Sequence, residues 1–151
     1  MLLSEAIIPY AGTQGIRLYQ TRPEVKAVLR EAGIRYHEEY WANKDETVPN
    51  PWHVLIADDV MSLFFARNGK LFKIIFWMGW EGCLLNGIHT GLPLEEARRL
   101  DPQLWFDDWN EVWQSPAGYW LEDDLTTREV MSITVYIREV LDDDLFDACE
   151  W

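Results

Sequence analysis

Gly87-Ile88-His89-Thr90-Gly91-Leu92-Pro93-Leu94-Glu95-Glu96-Ala97-Arg98-Arg99-Leu100 reads as an extended lead-in, a turn at Gly91 and then a helix. Proline suits the first helical position, where its missing N–H removes no bond. Glu95 and Glu96 in the first turn and Arg98 and Arg99 in the last oppose the helix dipole at both ends. The same pattern occurs 72 residues earlier, in Gly15-Ile16-Arg17-Leu18-Tyr19-Gln20-Thr21-Arg22-Pro23-Glu24-Val25-Lys26-Ala27-Val28. Without a gap, Gly15 falls on Gly87, Ile16 on Ile88, Glu24 on Glu96, Lys26 on Arg98 and Val28 on Leu100. An internal repeat of this kind decides the fold before any single element does.

Working outward from the first copy, Thr21 is an N-cap residue with glutamate three positions on, a capping-box spacing. Val25, Val28 and Leu29 give that helix an apolar face, and Gly33 ends it. Residues 34–41 alternate as a strand and 42–51 read as a polar loop. Strands follow at 52–57, 60–66 and 71–77, with turns at Asp58-Asp59 and at Arg67-Asn68-Gly69-Lys70, which holds the Asn-Gly pair of a tight hairpin. Phe72 through Met78 is apolar except for Lys73. Residues 79–86 read as a strand or a crossover.

The second copy has a helix over 93–100, stopped before Asp101-Pro102. Trp105 to Trp113 comes next, then a turn at 114–118, a strand at 119–122, a turn at 123–128 and a β-branched strand at 130–138. With a shift of 59, Leu71-Phe72-Lys73-Ile74 lies over Val130-Met131-Ser132-Ile133. The second copy reads as lacking one strand or having a shortened one. Residues 139–151 form an acidic tail whose Leu141, Leu145, Phe146 and Trp151 predict docking as a short helix. The expectation is one α+β domain over 1–151. Two tandem helix-plus-antiparallel-meander units, about 15–77 and 87–138, form one curved sheet with helices on one face. The other sheet face is left open as a binding surface.

The chain has 151 residues and a formal net charge of −13. Residues 1–76 carry nine basic and nine acidic side chains, and residues 77–151 carry four and seventeen. Seven of the nine tryptophans also lie in the second half. Such an acidic field repels nucleic acid and anionic lipid and speeds association with basic proteins. No apolar run is long enough to span a membrane. The first six residues lack a positive start, and Glu5 breaks their apolar run, so no signal peptide is expected and the predicted location is cytoplasmic. Cys83 and Cys149 form no ligand pattern and read as free thiols, with Cys83 buried in an apolar strand.

Catalysis has little to stand on. His37, His53 and His89 share no metal-ligand spacing, and Ser115 and Ser132 lack a nucleophile-elbow context. Asp58-Asp59, Asp107-Asp108 and Asp123-Asp124 are adjacent pairs that diverge on a strand. No catalytic residue, metal or cofactor is predicted. The candidate surface is Trp105-Phe106-Asp107-Asp108-Trp109-Asn110-Glu111-Val112-Trp113. As a strand it puts Trp105, Asp107, Trp109, Glu111 and Trp113 on one face, rings around carboxylates as a protein-binding hot spot requires. As a helix it buries Trp105, Trp109 and Trp113 as a stripe, so core and surface readings both stand. Glu38 and Tyr40 give the first copy a similar texture and point to a two-unit binding face, with Asp123 and Asp124 as rim charges.

A Gly-Ile lead-in, a helix with Glu-Val or Glu-Ala, and a strand such as Gly69-Lys70-Leu71-Phe72-Lys73-Ile74-Ile75-Phe76, all in tandem, resemble the repeats of the beta-lactamase inhibitory protein family. They are similar also to small domains of outer-membrane assembly lipoproteins. Gly87 to Ala97, Gly118 to Asp124 and Ser132 to Tyr136 resemble small bacterial immunity proteins encoded beside polymorphic or contact-dependent growth-inhibition toxins. That resemblance implies a non-enzymatic inhibitor. Its expected partner is the C-terminal domain of a cognate toxin, basic and nuclease-type, held 1:1 with its active site occluded. The alternatives are a structural adaptor of the assembly-lipoprotein kind and a small-ligand-binding protein.

Overall fold

Thr21 opens the first helix, α1 (Arg22–Glu31), with both halves of the capping box in place. Its hydroxyl accepts from the Glu24 N–H, and the Glu24 carboxylate accepts from the Thr21 N–H at 3.1 Å. These bonds occupy two of the backbone donors that a helix start leaves open. The computed structural model describes residues 2–41 and 51–151. The loop expected over 42–51 therefore lies, apart from Pro51, outside the described residues.

After α1 the chain makes a four-stranded meander: β1 (Tyr36–Trp41), β2 (Trp52–Ala57), β3 (Met61–Phe65) and β4 (Leu71–Trp77). A second helix, α2 (Leu94–Leu100), leads into β5 (Trp105–Asp107), β6 (Val112–Ser115), β7 (Tyr119–Asp123) and β8 (Val130–Tyr136). All eight strands form one antiparallel sheet in the order β1-β2-β3-β4-β8-β7-β6-β5. The second unit thus has its full complement of strands, and β5 is the shortened one. Residues 79–86 are a crossover rather than a strand, tied down where Leu84 bridges Ile7. Pro93 is the N-cap of α2, one position earlier than expected, and supplies no side-chain cap.

The repeat reappears in the hydrogen bonds. Tyr19 N–H binds the Leu71 carbonyl and Leu71 N–H binds Gln20; likewise Gly91 N–H binds Val130 and Val130 N–H binds Leu92. Arg22 N–H to Gly69 is matched by Leu94 N–H to Arg128. The bridge Thr21↔Lys70 is matched by Pro93↔Glu129. Each pair obeys the shifts of 72 and 59 found in the sequence. Each unit also carries a bulge near the start of its last strand, with Phe72 the extra residue in β4 and Met131 in β8. The units join where β4 pairs β8. There Lys73↔Tyr136 and Trp77↔Ser132 are exchanged by the repeat, and Ile75↔Thr134 maps onto itself. A pseudo-twofold axis therefore passes through the Ile75–Thr134 pair.

Side chains alternate between the sheet's two faces, and directly paired residues share one. Helices α1 and α2 cover the face that includes Glu38, Ile74, Trp113, Tyr119, Leu121 and Ile133. Val25, Leu29, Ile74, Leu121 and Ile133 have no exposed surface in this layer. The opposite face runs through Trp105, Gln114, Trp120, Thr134, Ile75 and Ser62. Neither α1 nor α2 covers this open face; Tyr10 packs edge-on to its Tyr136, and the acidic tail docks at one end through Phe146 and Trp151, while Leu141 and Leu145, expected to dock with them, are exposed. A 3-10 turn at Arg138–Leu141 leads to α3 (Asp143–Ala148), capped by Asp142. Phe146 packs 4.9 Å from Phe72 and stacks on Trp151, and Arg67 donates to the carbonyls of Asp147 and Ala148. Among the described residues no helix is long and apolar enough to cross a membrane.

Candidate functional site

Trp105 to Trp113 is neither one strand nor a helix but a hairpin. Trp105 pairs with Gln114, Phe106 with Trp113 and Asp107 with Val112. The turn closes on Asp107, whose carboxylate accepts from the N–H groups of Trp109 and Asn110 and, at 2.7 Å, from the Asn110 side chain. The Asn110 amide leads in holding this carboxyl below the usual aspartate range. Asp107 is thus committed to the turn. The strand reading missed this because an aspartate can cap its own chain two and three residues on, and here that local bond outweighs alternation. Trp113 is half-buried on the helix-covered face, with the Arg98 guanidinium 4.8 Å over its ring. Trp105 and Asp107 are on the open face. Trp109 stands at the hairpin tip and is 90% exposed.

The β7–β8 turn lies beside this tip. Asp124 accepts from the N–H groups of Thr126 and Thr127 and is held below the ordinary range by these bonds, that from Thr127 first. Asp123 pairs with Arg128 at 3.0 Å and its side chain is only 7% exposed. Between the tips is a cleft of about 590 Å³ lined by five acidic residues, Asp108, Glu111, Glu122, Asp123 and Asp124. Phe106 and Met131 also line it, as does Leu125, which is 81% exposed. Among the described residues only Arg128 forms an ion pair with one of these acidic residues, Asp123.

Glu38 and Tyr40 lie elsewhere. They are on β1, at the edge of the sheet opposite β5. Glu38 ties β1 to α1 through Lys26 at 2.8 Å and Arg22 at 3.5 Å, and meets His53 at 3.4 Å. The Lys26 bond foremost holds its carboxyl low. Tyr40 packs its exposed ring on His53. The expected two-unit face is therefore not assembled: the sheet's width separates these residues from the acidic cleft. Cys83 is exposed rather than buried, and both cysteines are free. Among the described residues no group of three or more His, Cys, Asp or Glu is placed to hold a metal ion.

The chain matches no family model, no curated protein and no solved structure.

The open face holds a second group that the candidate surface left out. Lys73 points into a ring of aromatics, with its Nζ 4.2 Å from the centre of Phe64, 5.3 Å from Trp52 and 6.0 Å from Phe72 and Trp120. Such rings attract a cation through their negative faces. Burial pushes the Lys73 ammonium down to about 8, with Glu122 pulling the other way. The sequence signal was the lone lysine within the apolar run of β4. A residue that breaks such a run is either snorkelling or placed for a purpose, and the ring of aromatics depends on strand partners that no local pattern displays.

Proposed function

We propose that this chain is a binding protein that uses the acidic end of its second unit to hold a basic protein. The observation that carries the reading is that five acidic residues from two neighbouring hairpins line one cleft, beside the exposed apolar side chains of Trp109 and Leu125. Rigid aromatic and apolar anchors beside charges suit a protein hot spot. Uncompensated carboxylates suit lysine and arginine on the partner, and they speed encounter more than they deepen affinity. Asp107, Asp123 and Asp124 shape the tips through internal bonds, whereas Asp108 and Glu111 face the partner together with Trp109 and Leu125.

The arrangement supports an inhibitor of the immunity type, which would occlude a nuclease-like toxin by presenting carboxylates where phosphates otherwise bind. The test is co-expression with the C-terminal domain encoded by the gene immediately upstream. The expected result is growth rescue and a 1:1 complex that weakens as salt rises. Trp109→Ala and Asp108→Asn/Glu111→Gln are expected to weaken that complex at least ten-fold while leaving the thermal melt unchanged. A domain that is harmless and forms no complex, or a complex indifferent to all three substitutions, would overturn the reading.

A further inference from the structure

The open face has a cleft of about 650 Å³, separate from the acidic one except for the shared Glu122. Its floor is sheet, with Lys73, Ile75 and Trp120 at the centre. The β5–β6 hairpin supplies Asn110, Val112 and Gln114 along one flank, and the docked tail supplies Val140, Leu141 and Phe146 along another. Volume and lining are those of a small-molecule site, apolar walls with few polar groups, rather than of a flat protein interface.

The polar groups at the centre are donors. Lys73 has no carboxylate or other hydrogen-bond partner among the described residues, although rings surround it. Glu122 acts on it only at longer range than an ion pair. The indole Nε1 of Trp52, the ring beside it, is buried and likewise has no acceptor among the described residues. A desolvated ammonium and an indole N–H without acceptors are both costly to leave unmade, and one anionic acceptor can serve both. Glu122 and Asp143 on the walls disfavour an anion with several charges and leave room for one.

We infer that this cleft binds a small amphipathic organic acid, its single carboxylate received by Lys73 and its apolar body lying between Trp120 and the Phe72–Phe146 pair. The site does not depend on the basic-protein reading and uses a different part of the sheet.

The experiment uses 2-naphthoate and its uncharged counterpart 2-naphthamide, titrated into the intact protein and followed by indole ¹H–¹⁵N and lysine side-chain resonances. The acid is expected to shift the Trp52, Trp120 and Lys73 signals and to bind at least ten-fold more tightly than the amide. In Lys73→Met, whose unbranched apolar side chain suits the same rings, the two probes are expected to bind within about two-fold of one another. Equal binding of acid and amide to the unaltered protein would overturn the proposal, whatever the variant does. So would a preference for the acid that survives Lys73→Met, or shifts confined to Trp105 and Trp109.

Discussion

Under the shift of 59 residues, Phe72 in the first unit corresponds to Met131 in the second, and Lys73 to Ser132. Both pairs occupy the same backbone: a bulge residue, then the first residue of regular pairing after it. Bulge and lead-in hydrogen bonds recur in both units, so the main chain carries the repeat and the side chains have been free to diverge. In the first unit that divergence put a cation inside a ring of aromatics. In the second it put a small buried hydroxyl, and the charge moved outward to the hairpin tips. The pseudo-twofold axis thus relates two halves of one scaffold with unlike surfaces.

The strongest way to break the comparison is at its most symmetric point. Ile74 and Ile133 are equivalent, fully buried, and beside the axis. Truncating each to alanine is expected to cost about 2–5 kcal/mol, with the two values within about 1 kcal/mol of each other. Urea denaturation measures both. A much smaller loss for Ile133→Ala would mean that the second unit packs more loosely than its hydrogen bonds imply.

Next in size is a contact found in the second unit only. Asp101 at the end of α2 accepts from Ser115 at 2.6 Å and from the Tyr119 hydroxyl, whose pKa is pushed up to about 12 by burial and then by its bond to this carboxylate. In the first unit α1 ends instead at Ala32 and Gly33, with Gly33 at a positive φ. Asp101→Ala is expected to cost about 1.5–3 kcal/mol, because it strands two part-buried hydroxyls. The check is a thermal melt read against Tyr119→Phe, which removes one of the two bonds.

Lys73 gives an effect of opposite sign. In the unfolded chain the ammonium holds its proton to about 10.5, and in the folded protein to about 8. Below pH 8 both states are protonated, and the fold bears the whole cost of the buried charge. Between these values the unfolded chain binds more protons, so stability rises with pH and the cost disappears above about 10.5. The ring faces offset part of it. Lys73→Met is therefore expected to stabilise the protein at pH 7 by about 1–2 kcal/mol, and by much less at pH 10.5. Denaturation at the two pH values sharpens the contrast with Ser132. Destabilisation by Lys73→Met at pH 7 would show that the rings more than offset the buried charge.

The scaffold was legible because its signals are local. Thr21 with Glu24, the Asn68-Gly69 turn and the alternation of β4 each act within a few residues, and the repeat then supplied the pairing of units. What the sequence hid depends on partners far along the chain. The Asp107 turn defeated the single-strand reading of 105–113 because the aspartate's local bonds reverse the chain after three residues. Glu38 reads like Asp108 in the sequence, yet it is consumed by Lys26 and Arg22, which only the packing of α1 on β1 reveals. Lys73 was visible as an interruption, but its ring is drawn from β2, β3, β4 and β7.

The smallest effect lies at the helix starts, where the repeat invites a repair. Thr21 and Pro93 are equivalent N-caps, and each is followed three residues later by glutamate, Glu24 and Glu96. Only the first pair forms a capping box; Pro93 has neither a side-chain acceptor nor an N–H for Glu96 to bind. Thr21→Ala is expected to cost about 1 kcal/mol. Pro93→Thr adds the missing hydroxyl and the missing N–H at an extended backbone position, φ −55° and ψ 135°. It also gives the unfolded chain more freedom, at a cost of about 0.4–1 kcal/mol. The two nearly cancel, so the expected gain is a few tenths of a kcal/mol. Joining Pro93→Thr to Glu96→Ala separates the contributions: if a capping box has formed, Glu96→Ala costs more in the Pro93→Thr background than alone. An equal cost in both backgrounds would mean that the second unit's lead-in, though it has the same main-chain bonds, cannot carry the first unit's cap.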